Sequence, residues 1–245
     1  METFFSGKRA VVTGAAQGMG ARIATDLAKY GATVIAVDLL AAKLSELQKQ
    51  VPNIIPVAVD LSDWDATQRA LADVGDVDFL VNNAGITKLD SFGDIDQATI
   101  DKIFAVNFKA ALNVSQICVQ SMKSRGVPGA VVNVSSQSGL VALPEHAVYC
   151  GSKAALDMLT RVMALELGPY NIRVNSVNPT VTNTAMGAAV WEQEPGKAVA
   201  MKAKIPLGRF AETREISDVV LFLLSDMASM VTGVILPIDG GYTAV

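Results

Sequence analysis

The chain has little cysteine, histidine, aromatic content or charge. Its 245 residues include two cysteines, Cys118 and Cys150, and a single histidine, His146. Two thiols cannot build a disulfide framework, and with one imidazole they fall short of a four-ligand Cys/His zinc site, so no metal is expected. Charged residues make up 18% of the chain against 51% hydrophobic, far from the composition of a disordered segment. Twenty Lys and Arg face 24 Asp and Glu, which leaves no basic stripe for a phosphate backbone and excludes nucleic acid as an expected partner. A long apolar run is missing as well. Gly126–Pro144 and Val174–Trp191 are uncharged, but Gly, Pro, Ser and Asn break both, whereas a membrane span needs about 20 predominantly apolar residues. The segment Met1–Gly7 is too short, and Glu2 the wrong charge, for a targeting peptide. The expectation is a reduced, cytoplasmic protein with no membrane partner.

Seven short Val- and Ile-rich runs are present: Arg9–Val12, Thr33–Val37, Ile54–Val59, Val77–Val81, Ala130–Val134, Ile172–Val177 and Val234–Ile238. They are mostly continuous rather than alternating, as strands covered on both faces should be. Between them lie helical patterns. Ile23, Leu27 and Tyr30 share one face, as do Leu40, Leu44, Leu47 and Val51, and Gly31 and Pro52 follow as stop signals. The repeated strand-then-helix order predicts an α/β protein. It would be a single Rossmann-type domain over residues 1–245, a doubly wound parallel sheet of about seven strands with helices on both faces. Thr99–Lys123 and Glu145–Leu167 read as long helices that stay apolar on more than one face. Leu156, Met158, Leu159, Val162, Met163, Leu165 and Leu167 nearly encircle the second, which predicts burial by a further subunit and a homotetramer. Pro179–Pro206 lacks clear periodicity and reads as a functional loop.

The first strand runs into Thr13-Gly14-Ala15-Ala16-Gln17-Gly18-Met19-Gly20 and then a helix. Glycines there allow a tight turn and let backbone N–H groups approach a pyrophosphate at a helix N-terminus. The second strand ends at Asp38, placed either to accept from an adenosine ribose or to cap the following helix. Against a 2′-phosphate its charge would cost about 1–4 kcal/mol at ~4 Å, and the neighbours Gln17 and Leu39 carry no positive charge. The residues therefore favour NAD(H), with NADP(H) as the alternative. Further along, Tyr149 and Lys153 stand four residues apart, hence on one helical face, where a cation would lower the phenol pKa. The strand before that helix ends at Ser136, at the edge where a hydroxyl points into a ligand crevice.

These motifs, with Asn82-Asn83-Ala84-Gly85 and Asn178-Pro179, are similar to those of the short-chain dehydrogenase/reductase family from Phe4 to Val245. Within it, the chain most resembles the branch of dicarbonyl/L-xylulose reductases, the tetrameric carbonyl reductases. Val127–Gln137, Leu156–Thr160, Met163–Pro169, Arg173–Val181 and Leu221–Asp226 carry that closer likeness. The resemblance implies hydride transfer to or from a small carbonyl or polyol. Tyr149 would be the acid/base, Lys153 would tune it and bind ribose, and Ser136 would bond the substrate oxygen. Asn107 would hold a relay water. Around the cofactor it places Gly14, Gln17, Gly18, Met19, Gly20, Asp38, Leu39, Asp60, Leu61, Asn83, Ala84, Gly85, Pro179, Val181 and Thr184. Around the substrate it places His146, either a contact or a structural residue; by position alone Gln137 and Leu143 flank the crevice, and Trp191 in the irregular loop is either a lid or packing. NADP-dependent members of that branch are expected to carry basic residues where Gln17 and Leu39 stand. Alternative functions are NADPH-dependent chemistry on 3-oxoacyl or steroid substrates, and an idle dinucleotide-binding scaffold. Cys150, beside Tyr149, reads as an inert thiol.

Overall fold

Alternate residues of a strand go to opposite faces of a sheet. In the computed structural model, which describes residues 4–184 and 195–245, both faces are covered. Val12, Val34, Ala36, Val81 and Val132 pack into one core, and Val11, Ile35, Val37, Leu80 and Val131 into another. That double burial is why the runs are continuously apolar.

The sheet strands are β1 (Arg9–Thr13), β2 (Thr33–Asp38), β3 (Ile54–Ala58), β4 (Phe79–Asn82), β5 (Gly129–Val134), β6 (Ile172–Pro179) and β9 (Ile235–Ile238). All seven pair parallel in the order β3-β2-β1-β4-β5-β6-β9. The order reverses between β1 and β4, so a crevice opens beyond the carboxyl ends of those strands. Helices α1 (Gly18–Lys29), α2 (Ala41–Gln50) and α8 (Thr213–Leu224) cover the first core through Ile23, Leu27, Leu44, Ile216 and Val220. Helices α3 (Trp64–Leu71), α5 (Ala110–Arg125) and α6 (Ala147–Leu167) cover the second through Leu71, Val114, Met122, Met163 and Leu167. No helix among the described residues is long and apolar enough to cross a membrane.

The structure departs from the sequence pattern at four places. Leu40 precedes α2 and is exposed, so only Leu44 of that predicted face is fully buried. The expected helix over 99–123 is α4 (Gln97–Phe104) and α5 joined by a π turn, Ala105–Lys109. Helix α6 starts at Ala147 rather than Glu145, whose φ of 63° is incompatible with a helix. The segment read as a loop holds β7 (Thr182–Asn183), which pairs with β8 (Ala211–Glu212), and the helix α7 (Pro195–Lys202). On α6, Leu156, Met163 and Leu167 are buried, but Met158, Val162 and Leu165 are 54%, 42% and 80% exposed. This chain alone leaves half of that apolar circumference uncovered.

Candidate active site

At the mouth of β1 the chain turns through Gly14 and Gly18, at φ 64° and 59°, a region that disfavours side chains. The turn also leaves no room for one. A Cβ on Gly14 would stand 2.9 Å from Ala84 Cα, and one on Gly20 would stand 2.1 Å from the Gly14 carbonyl oxygen. Gly20 thus serves the close packing of turn on helix, and it does not line the cleft. Asn83 clamps the turn: its Nδ2 donates to the Thr13 and Gly14 carbonyls at 3.0 and 3.1 Å. Thr13 Oγ1 in turn accepts the Asn83 and Ala84 N–H groups at 2.9 and 3.0 Å.

A cleft of about 520 Å³ opens above this turn. Gly14, Gln17, Gly18 and Met19 form its floor; Asp38, Leu39, Asp60 and Leu61 stand at one end, and Asn83, Ala84, Gly85 and Thr184 along its wall. Thr184 comes close to the turn, its Cγ2 lying 3.3 Å from where a Gly18 Cβ would be. Asp38 does not cap α2, whose N-cap is Leu40 with no side-chain cap bond. It lines the cleft, and its carboxylate accepts from Ala16 N and Leu40 N, each at 3.0 Å. Asp60 is held below the usual carboxylate range by its bonds from the Ser62 hydroxyl and N–H. Two lysines at this end were not found from sequence. Lys43 Nζ donates to Gln17 Oε1 at 2.6 Å, and Lys102 of α4 lines the cleft. Both are brought in by contacts across 26 or more residues, which no local pattern signals.

A dinucleotide fits these residues. The turn is a cradle that any Cβ would fill, Asn83 Oδ1 is buried without a partner, and α1 begins at Gly18 with no side chain capping its N–H groups.

Beyond Gly85 the chemistry-bearing residues converge. Gly85 is the hinge of the arrangement, since a Cβ there would lie 3.3 Å from Lys153 Nζ and 3.5 Å from Asn107 Oδ1. Asn107 occupies the π turn, and its amide bonds both backbone groups of Ile86 (2.8 and 2.9 Å) and the Ser152 hydroxyl at 3.0 Å. A wider turn at a functional position is a recurrent use of π geometry. Ser136 follows β5, with its Oγ accepting from Ser138 N at 3.1 Å. Its hydroxyl also acts on the Tyr149 phenol, favouring the ionised form. Lys153 is buried, donates from Nζ to the Val134 carbonyl at 2.9 Å, and stands 5.8 Å from the centre of the Tyr149 ring.

The electrostatics correct one expectation. Burial pushes the Tyr149 phenol above its ordinary value, opposed by the Ser136 hydroxyl, and Lys153 does not bring it down. Burial also depresses Lys153, to about 8, so it carries a weakened cation near neutrality. Tyr149 is accordingly a proton donor at pH 7.

Around this pair, Gln137 is buried with Oε1 unpartnered, and Leu143 is half-buried. His146 immediately precedes α6, with its ring 6.1 Å from that of Tyr149. Its Nδ1 lies 2.6 Å from the Pro144 carbonyl, which can only accept, so Nδ1 is the donor there, and in the neutral ring Nε2 is left as an acceptor. Pro179 ends β6, and the Val181 carbonyl accepts from Ala211 N, both outside the residues lining the cleft. Trp191 lies outside the described residues. Cys118 is fully buried with its thiol pushed up to about 12, and Cys150 is half-buried. Among the described residues, no group of three or more His, Cys, Asp or Glu could hold a metal ion.

Comparison with known proteins places this geometry among relatives. The family model described as enoyl-(acyl carrier protein) reductase matches residues 14–243. Human L-xylulose reductase is 51% identical over 244 residues, covering 100% of both chains. Pig carbonyl reductase (NADPH) 2 is 46% identical, again over 100% of both. A crystal structure of a short-chain type dehydrogenase/reductase from Mycobacterium marinum superposes with a TM-score of 0.91 at 31% identity, over 100% of this chain and 98% of that one.

Proposed function

This chain belongs to the short-chain dehydrogenase/reductase family and is an oxidoreductase of alcohols and carbonyls that uses a nicotinamide dinucleotide; from that premise we propose that it reduces a small keto sugar or α-dicarbonyl, of the L-xylulose/xylitol type, with NADH. The observation that carries the reading is the convergence of Ser136, Tyr149 and Lys153 beside the glycine-floored cleft. When bound, the nicotinamide supplies the hydride to the carbonyl carbon. Tyr149 gives its phenolic proton to the carbonyl oxygen, and its raised pKa keeps that proton in place at neutral pH. Ser136 hydrogen-bonds the same oxygen and stabilises charge as it develops. Lys153 would hold the ribose of the bound dinucleotide, and Asn107 would hold a proton-relay water. Gln137 and His146 offer acceptors for substrate hydroxyls, which suits a small polar substrate over an acyl chain or steroid.

Asp38 at the cleft end supports NAD(H). A second reading, NADP(H), is favoured by Lys43 against Gln17 and by the NADPH in the name of the pig relative. The exposed apolar face of α6 supports a homotetramer, with residues 1–245 folding as one domain in each copy. A panel of L-xylulose, an α-dicarbonyl, a 3-oxoacyl thioester and a ketosteroid, assayed with NADH and NADPH, tests the reading. The largest kcat/KM is expected for the first two with NADH, and no turnover of any carbonyl overturns it.

A further inference from the structure

Asp157 lies one helical turn beyond Lys153 on α6, buried at 5% exposure, and no step above uses it. A buried carboxylate is costly unless its oxygens are bonded and its charge is matched. Here the oxygens are bonded. Ser176 Oγ donates to Oδ1 at 3.0 Å and Asn178 Nδ2 to Oδ2 at 2.9 Å. The same Asn178 amide donates to the Ser136 carbonyl at 2.8 Å, so one side chain ties the carboxylate to the backbone of Ser136, whose hydroxyl acts on the Tyr149 phenol. Gly139 closes the space. A Cβ there would lie 2.5 Å from Asp157 Oδ2 and 3.2 Å from the Lys153 carbonyl carbon, so the turn after Ser136 rests directly on both residues.

The charge is met from one helical turn away: burial pushes the Asp157 carboxyl up, and Asn178, Ser135, Ser176 and, least, the Lys153 cation oppose that. Among the described residues, Asp157 is the charged group whose field acts on Lys153, opposing the depression that burial imposes. The other elements packed here present Ser135 and Ser136 after β5, Ser176 and Asn178 of β6, and Asn107 of the π turn, none of which titrates near neutrality. Asp101, Lys102 and Lys109 of α4 and the π turn are exposed. Arg173 of β6 donates to the carbonyls at the end of α8, away from this pocket. Tyr149 and Cys150, about one turn before Lys153, are the remaining titratable neighbours on α6, and Arg161 one turn beyond Asp157 is exposed.

We infer that Asp157 is a positioning residue of this active site, acting through two partners: it is the counter-charge that keeps Lys153 cationic, and through Asn178 it sets the placement of Ser136. The inference rests on the proposed reductase function but is read out separately from it. In the full chain, Asp157→Asn is expected to lower kcat for carbonyl reduction about 10- to 100-fold with little change in KM. It should also move the alkaline limb of the pH profile toward acid by up to about one unit, because an unmatched ammonium loses its proton earlier. Asn178→Ala keeps the carboxylate and should lower kcat without moving that limb. A merely structural residue would lower the melting temperature and leave the limb in place.

The second readout is the Lys153 titration by NMR of isotope-labelled lysine in the cofactor-free protein, which needs no substrate. A Lys153 pKa lower in Asp157→Asn than in wild type supports the inference even if no carbonyl is turned over, an outcome that would overturn only the function. An unchanged Lys153 pKa and an unmoved limb overturn the inference. Should Asp157→Asn fail to fold, Asp157→Ser, which also removes the charge while keeping a hydroxyl in the cluster, must show the same shift; no shift there overturns it as well.

Discussion

Lys43 donates to Gln17 across 2.6 Å, which ties a cation to a residue lining the same cleft as the anion of Asp38. The two charges pull cofactor choice in opposite directions. Asp38 is anchored by two backbone N–H bonds on its own rim, whereas Lys43 is an exposed side chain held by one neutral amide. A fixed charge repels a phosphate with less loss to solvent than a mobile one attracts it.

Fluorescence titration is therefore expected to show NADH bound at least about tenfold more tightly than NADPH. Asp38→Ser should reverse the order, and adding Lys43→Gln should weaken NADPH again while sparing NADH. Tighter binding of NADPH by the unaltered chain would sink the assignment of Asp38.

Removing the phenolic hydroxyl leaves nothing in the site to give the proton. Tyr149→Phe should lower kcat by at least about 10²-fold and leave dinucleotide titration unchanged. The pH dependence has a defined sign. Reduction needs protonated Tyr149 and cationic Lys153, so its rate should be level through neutrality and fall above about pH 8, where Lys153 loses its proton. Alcohol oxidation, which needs the phenolate, should rise over the same range. A reduction rate that climbs with pH contradicts this.

Met158, Val162 and Leu165 form an apolar stripe along α6 that this chain does not bury. Sedimentation at micromolar concentration should find a tetramer, and Leu165→Asp should shift it to smaller species, because a charge there must be desolvated on association. A wild-type monomer would remove the stripe's explanation.

Much of the frame was legible because its cause is local. Strands such as Val34–Val37 are apolar on every residue since both cores take them, and Gly14 and Gly18 stand where the turn needs positive φ. What escaped depends on contacts between distant segments. The π turn at Asn107 accompanies bonds to Ile86 and Ser152, 21 and 45 residues away. Lys43 meets Gln17 only because α2 folds back over the glycine turn. The Tyr149 pKa went the other way because spacing reveals the nearby amine, but not that burial outweighs it and holds the amine on Val134.

Lys153 tests the conflict between site and stability. Its folded pKa of about 8 lies below the ordinary lysine value of 10.5, so between those values the unfolded chain binds more protons, and stability contributed by this group rises with pH through that window. Below it, the buried ammonium costs on the order of 3 kcal/mol relative to the unfolded chain. Lys153→Met removes that cost and keeps the volume of the aliphatic stem, at the loss of one bond to the Val134 carbonyl. Urea unfolding of the cofactor-free protein at pH 7 should therefore show Lys153→Met more stable than wild type by roughly 1–2 kcal/mol, though inactive. The difference should shrink as pH rises from 8 toward 10.5. A variant less stable than wild type at pH 7, with a gap that does not vary with pH, would show that the amine is held by its surroundings more strongly than burial opposes it.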